Sequence, residues 1–184
     1  TADALAKLRD KVGDIDAYVA RELDYTAEEL GEYFAAEQVD ALALALDNIG
    51  KGSGFIIGDQ TGVGKGRVNA GIIRWALKND KVPIFVTHKP NLYKDIYRDL
   101  RDVGMGNLAG KILMTNSDET IPLDDEGRLY LKSPESGKQK ANLERMIDDN
   151  NIGHFKLIMT TYDQMNLQGG AKTVRNRFLE HFAS

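Results

Sequence analysis

The sequence predicts an α/β fold: a parallel sheet flanked by helices, preceded by an N-terminal helical segment. Three observations predict it. Apolar runs at residues 55–58, 83–87, 111–115 and 156–160 are apolar through their middles rather than alternating, as strands covered on both faces are. Helix-like segments at 65–78, 90–103 and 138–149 fall between them. The first apolar run stops abruptly in a turn with glycines at 58, 62, 64 and 66, and the first of those helices follows it directly. Repeated strand–helix units wind into one sheet through right-handed crossovers.

Taken in order, the chain opens with Leu5, Leu8, Val12, Ile15 and Val19 at spacings of three and four, an amphipathic helical pattern over residues 1–23 that Gly13 weakens. Thr26-Ala27-Glu28-Glu29 reads as a capping box that starts a helix running to about residue 34. Val39, Leu42, Leu46 and Ile49 share one face of a further helix over 37–49. Gly50-Lys51-Gly52-Ser53-Gly54 ends it, so the expected division is 1–52 for the helical segment and 53–184 for the sheet-bearing part. Pro90 suits a helix first turn. Residues 116–137 break the strand–helix rhythm: Ile121/Leu123 and Leu129/Leu131 alternate around Asp125-Glu126-Gly127, which reads as a small hairpin or an exposed insertion. A last helical pattern covers 173–182.

Composition narrows the function classes. The 184 residues suffice for one domain with a real core, and their 42% apolar content is ordinary for a globular chain. Without cysteine there are no disulfides and no thiolate metal sites. The net charge of −4 argues against a histone-like coating role, so any grip on nucleic acid would be local. His88, His154 and His181 show no metal-ligand spacing, and no metal site is expected from side chains of this kind. No apolar run approaches the ~20 residues that span a bilayer, and the first residues lack signal-peptide character. An intracellular location, cytoplasmic or nuclear, is expected.

The chemistry concentrates in Asp59-Gln60-Thr61-Gly62-Val63-Gly64-Lys65-Gly66-Arg67. Glycines let successive N–H groups curl toward phosphate oxygens. The following helix adds its positive N-terminal end, and Lys65 adds a point charge for the β and γ phosphates. Two positions depart from the usual phosphate-loop pattern. Asp59 stands where a small residue is usual, and Gly66 stands where a Ser or Thr hydroxyl usually holds Mg²⁺. Arg67 would pair with Asp59 or approach a phosphate; the residues leave both open.

The loop, Gln38 upstream of it, Phe85-Val86-Thr87-His88-Lys89-Pro90 and Leu157-Ile158-Met159-Thr160-Thr161-Tyr162 come in an order that resembles the first RecA-like domain of superfamily 2 helicases and translocases. Asp59 looks like the chromatin-remodeller branch. The Gly-Val-Gly-Lys-Gly-Arg ending and Arg98-Asp99-Leu100-Arg101-Asp102-Val103-Gly104 look most like the strawberry notch group, which has phage relatives, some joined to methyltransferases. The resemblance covers residues 37–165. It implies ATP and Mg²⁺ as cofactors, with Gln38 reading the adenine edge. Residues 59–67 would hold the nucleotide, and Lys65 would be the catalytic cation. Thr87, His88, Lys89, Thr160 and Thr161 would touch nucleic acid, DNA rather than RNA.

Hydrolysis also needs an acid for Mg²⁺ and a carboxylate for water. The family places them as Asp-Glu at a strand end after the Thr-Thr-Tyr segment, and no such pair follows residue 165. Asp118-Glu119 is a poor substitute, because polar residues separate it from the strand at 111–115. The chain therefore reads as an incomplete first lobe that lacks those acids and a second RecA-like lobe, and little hydrolysis is expected of it alone. The alternative is a non-catalytic nucleotide-binding or structural scaffold within a larger, phage-encoded protein.

Overall fold

The computed structural model describes residues 2–49, 54–58, 64–165 and 173–184. The helical pattern over 1–23 is two helices, α1 (Ala2–Val12) and α2 (Ile15–Leu23). Gly13 breaks it at φ +84°, and the Asp14 carboxylate starts α2 afresh by accepting from the Ala17 amide at 3.0 Å. The expected capping box is present at α3 (Ala27–Tyr33): Thr26 Oγ1 accepts from the Glu29 amide at 3.1 Å, and Glu29 Oε1 from the Thr26 amide at 2.9 Å. Helix α4 (Ala36–Asp47) follows.

The strands, numbered along the chain, are β1 (Gly54–Gly58), β2 (Val82–Thr87), β3 (Ile112–Met114), β4 (Thr120–Pro122), β5 (Tyr130–Lys132) and β6 (Leu157–Thr161). Four form one parallel sheet in the order β1-β2-β6-β3, and β4 and β5 make an antiparallel hairpin, the first of the two readings open for 116–137. The remaining helices are α5 (Lys65–Lys78), α6 (Tyr93–Leu100), α7 (Ser136–Asp149), α8 (Tyr162–Met165) and α9 (Val174–Ala183).

The strand pleat sorts the core into two faces. Phe85 and Met159 join a cluster with Ile73, Leu100, Leu42, Val19 and Leu8, so α1–α4 share a core with the sheet and with α5 and α6. Ile84, Val86 and Ile158 face the other way, onto Leu143 of α7 and Phe178 and Leu179 of α9. Helices on both faces explain why the strand runs are continuously apolar.

The helical pattern over 90–103 is interrupted. A 3-10 turn (Pro90–Leu92) precedes α6, and a wide turn at Arg101–Met105 follows it, with Val103 and Gly104 out of helical geometry. The cause is non-local. The turn aims the Val103 carbonyl at buried Tyr25, whose hydroxyl donates a short hydrogen bond to it. The Tyr25 ring lies 3.9 Å from the Arg74 guanidinium, and Arg74 donates to the Leu23 and Asp24 carbonyls at 2.7 and 3.1 Å. Burial pushes the Tyr25 hydroxyl up to about 12, so it stays a donor across the working range. Tyr25→Phe is expected to cost about 1–3 kcal/mol by leaving a buried carbonyl unpaired. A urea midpoint unchanged from wild type would refute that account.

Candidate functional site

Parallel strands bring all four C-terminal ends to one edge, where open α/β sheets bind ligands. Gly58 of β1 leads into the phosphate loop there. Asp59, Gln60, Thr61, Gly62 and Val63 lie outside the described residues. The structure describes the loop's end: Gly64 caps α5 at φ +80°, and Lys65, Gly66 and Arg67 form its first turn, with no acidic residue among them. A helix N-terminus of this kind favours an anion through its macrodipole and its unpaired amides.

Gln38 sits where it can act on the loop. Its Oε1 accepts from the Ala35 amide at 2.8 Å, closing the first turn of α4, and its Nε2 donates to the Gly64 carbonyl at 3.3 Å. A Cβ on residue 64 would lie 2.7 Å from Gln38 Nε2, so both backbone sign and space call for glycine. Gln38→Ala is expected to cost about 1–2 kcal/mol through the lost helix cap and hydrogen bond, and to weaken nucleotide binding as well. Thermal unfolding and a binding titration measure the two; a change in neither would remove Gln38 from the site.

Between α4 and α5, Gln38, Ala41, Gly64, Lys65, Val68 and Asn69 line a cavity of about 330 Å³. Asn69 is 7% exposed, and its Nδ2 has no hydrogen-bond partner among the described residues. Buried amides are ordinarily satisfied, so this one marks the cavity as polar at its wall. A larger cleft of about 470 Å³, between α2, α3 and α4, is lined by Asp14, Leu30, Phe34 and neighbours, away from the loop and the strand ends.

Arg67 points away from the cavity. It donates to the Tyr33 carbonyl at 2.6 Å and lies 3.6 Å from Asp99 and 3.4 Å from Asp102. Burial pushes the Asp99 carboxyl up, offset in part by Arg98 and Arg67. A Cβ on Gly66 would lie 2.0 Å from Asp99 Oδ2. Sequence reasoning missed Asp99 and Asp102 as neighbours of the loop. The signal was Gly66 itself: a side chain absent where one is usual has been displaced by something.

The residues expected to meet nucleic acid divide. His88 and Lys89 are exposed beyond the end of β2. Thr87, Thr160 and Thr161 are at most 1% exposed. Thr160 Oγ1 accepts from Thr115 at 2.7 Å, and Thr161 Oγ1 from Asn116 Nδ2 at 3.3 Å. Tyr93 in turn donates to Asn116 Oδ1 at 2.6 Å, and burial pushes its hydroxyl well above the ordinary tyrosine range. Arg175 of α9 donates to the Thr115 carbonyl at 3.0 Å. Strand-end hydroxyls here form an internal polar network that stiffens the edge. Tyr162 is half-buried, its ring 5.1 Å from that of His88, and its hydroxyl would lie 2.8 Å from a Cβ on Gly58. It therefore bridges the two strand ends.

Among the described residues, no group of three or more His, Asp or Glu converges as a metal site. None of the described helices is long and apolar enough to cross a membrane.

A family model described as P-loop containing NTP hydrolase pore-1 matches residues 25–133. The chain is 31% identical over 106 residues to protein strawberry notch homolog 2 of Homo sapiens, covering 54% of this chain and 8% of that protein. It is 45% identical over 111 residues to protein strawberry notch homolog 1 of Gallus gallus, covering 53% of this chain and 9% of that protein. To protein strawberry notch of Drosophila melanogaster it is 46% identical over 56 residues, or 30% of this chain and 3% of that protein. No solved structure matches the chain.

Proposed function

This chain belongs to the P-loop containing NTP hydrolase pore-1 family, and from that membership we propose that it is the ATP-binding lobe of a nucleic-acid-dependent ATPase that works on DNA. The observation that carries the reading is the Gln38 amide joined to the Gly64 carbonyl, which brings a base-reading side chain, the end of the phosphate loop and Lys65 around one cavity. The adenine would enter between α4 and α5. The triphosphate would run along the first turn of α5, where Lys65 and the helix N-terminus face its charge. Magnesium carried in with the nucleotide would neutralise phosphate charge. His88 and Lys89, exposed on the same edge, would meet a DNA backbone, and Tyr162 would tie that contact to the start of the loop.

Because the chain spans under a tenth of the relatives' length, turnover and a second lobe belong to the proposal too. The test is a titration of the 184-residue chain with a fluorescent ATP analogue. Competition by ATP but not by adenosine is expected, with a shifted affinity when single-stranded DNA is present. Absence of competable binding would sink the proposal and favour a structural scaffold. The observation favouring that second reading is Gly66, which lacks the usual magnesium-holding hydroxyl.

A further inference from the structure

The missing hydroxyl at residue 66 has a geometric cause. A Cβ there would lie 2.0 Å from Asp99 Oδ2 and 2.9 Å from Asp99 Cγ, so a side chain at residue 66 and the carboxylate in this position exclude one another. An oxygen attached to such a Cβ would fall in the space the carboxylate fills. Asp99 is placed there by α6, whose Ile96, Tyr97 and Leu100 are buried in the core. Its two oxygens differ in surroundings: Oδ1 faces Arg67 Nε at 3.6 Å, while Oδ2 faces the first turn of α5. Arg67 has other anchors in the Tyr33 carbonyl and Asp102, so its charge is shared rather than spent on Asp99.

Resting on the nucleotide-site reading above, we infer that Asp99 is the protein's oxygen donor to the divalent cation of the bound nucleotide, replacing the hydroxyl that residue 66 lacks. A carboxylate is a hard anionic oxygen donor of the kind Mg²⁺ takes together with substrate phosphates. The Asp99 side chain is 20% exposed, so its charge is only partly screened by water. The charge also changes the behaviour of the loop. A neutral hydroxyl tolerates a metal-free triphosphate, whereas a carboxylate beside the phosphates repels it until a cation stands between them. Arg67, Arg98, Asp95 and Asp102 all face Asp99 and modulate this repulsion, but only Asp99 reaches the space at residue 66.

The experiment compares the affinity of the whole chain for a fluorescent ATP analogue in excess Mg²⁺ and in EDTA, and records the electron paramagnetic resonance of Mn²⁺ in the complex. Wild type is expected to bind about tenfold or more tighter with Mg²⁺, equivalent to one good charge-assisted contact. Asp99→Asn should bring that ratio close to one and lose the bound-Mn²⁺ signal. The double variant Gly66→Ser/Asp99→Ala, which returns a neutral oxygen to residue 66, should recover the bound-Mn²⁺ signal while its affinity ratio stays close to one. Asp102→Asn, which removes an Arg67 partner without touching residue 66, should keep the bound-Mn²⁺ signal and change the ratio far less than Asp99→Asn does. An Asp99→Asn ratio equal to wild type overturns the inference, as does failure of the double variant to recover the bound-Mn²⁺ signal. Wild-type binding that is competable but indifferent to Mg²⁺ overturns the inference and leaves the nucleotide site standing. No competable binding under either condition overturns both.

Discussion

Gly54→Ala is expected to destabilise the fold by about 3 kcal/mol or more, at the upper end of overpacking substitutions. Gly54 opens β1 beneath the end of α9, and a Cβ there would lie 1.8 Å from the Phe182 carbonyl oxygen, 2.9 Å from its carbonyl carbon and 3.2 Å from Ala183 Cα. All three are backbone atoms, so no rotamer change relieves the clash. Either β1 or α9 must move as a body. Moving α9 lifts Phe178, Leu179 and Phe182 from the core they share with Ile84, Val86 and Ile158. Moving β1 disturbs five register pairs with β2 and displaces the strand that carries the phosphate loop. The urea midpoint should therefore fall, and amide exchange in α9 should quicken before the rest of the molecule. A midpoint within about 0.5 kcal/mol of wild type, the usual scatter of an innocuous surface change, would mean that this contact is not close in solution.

Features with local causes were legible in the sequence, and features with distant causes were not. The sheet was legible because two-sided burial forces continuous apolar runs, and 82–87 and 157–161 carry that mark without help from anything else. The hairpin was legible from alternation around Asp125-Glu126-Gly127, and the start of α3 from the reciprocal Thr26–Glu29 bonds, both effects within a few residues. The wide turn after α6 was not legible, because its cause is the Tyr25 hydroxyl from a helix junction far earlier in the chain. The site divides the same way. Lys65 and the glycines announce a phosphate loop on their own, but Asp99 has no local signature as a neighbour of Gly66. Thr160 and Thr161 show the same limit: their internal partners, Thr115 and Asn116 on the neighbouring strand's continuation, have no local signature in the sequence.

Lys65→Ala is expected to weaken ATP-analogue binding by about 30- to 150-fold. The size follows from losing charge-assisted contacts to the phosphates, worth about 2–3 kcal/mol, where each 1.4 kcal/mol is tenfold in affinity. Lys65 is exposed at the first residue of α5, where the helix N-terminus favours an anion beside it. Arg67→Ala makes the contrast. Its guanidinium holds the Tyr33 carbonyl, Asp99 and Asp102, so its loss should lower stability as well as binding. Binding titrations and thermal melts of the two variants, run side by side, separate a residue kept for its ligand from one kept for its fold. A Lys65→Ala variant that binds as wild type does would reduce the loop to a turn between β1 and α5, and the ATP-binding reading would fall with it.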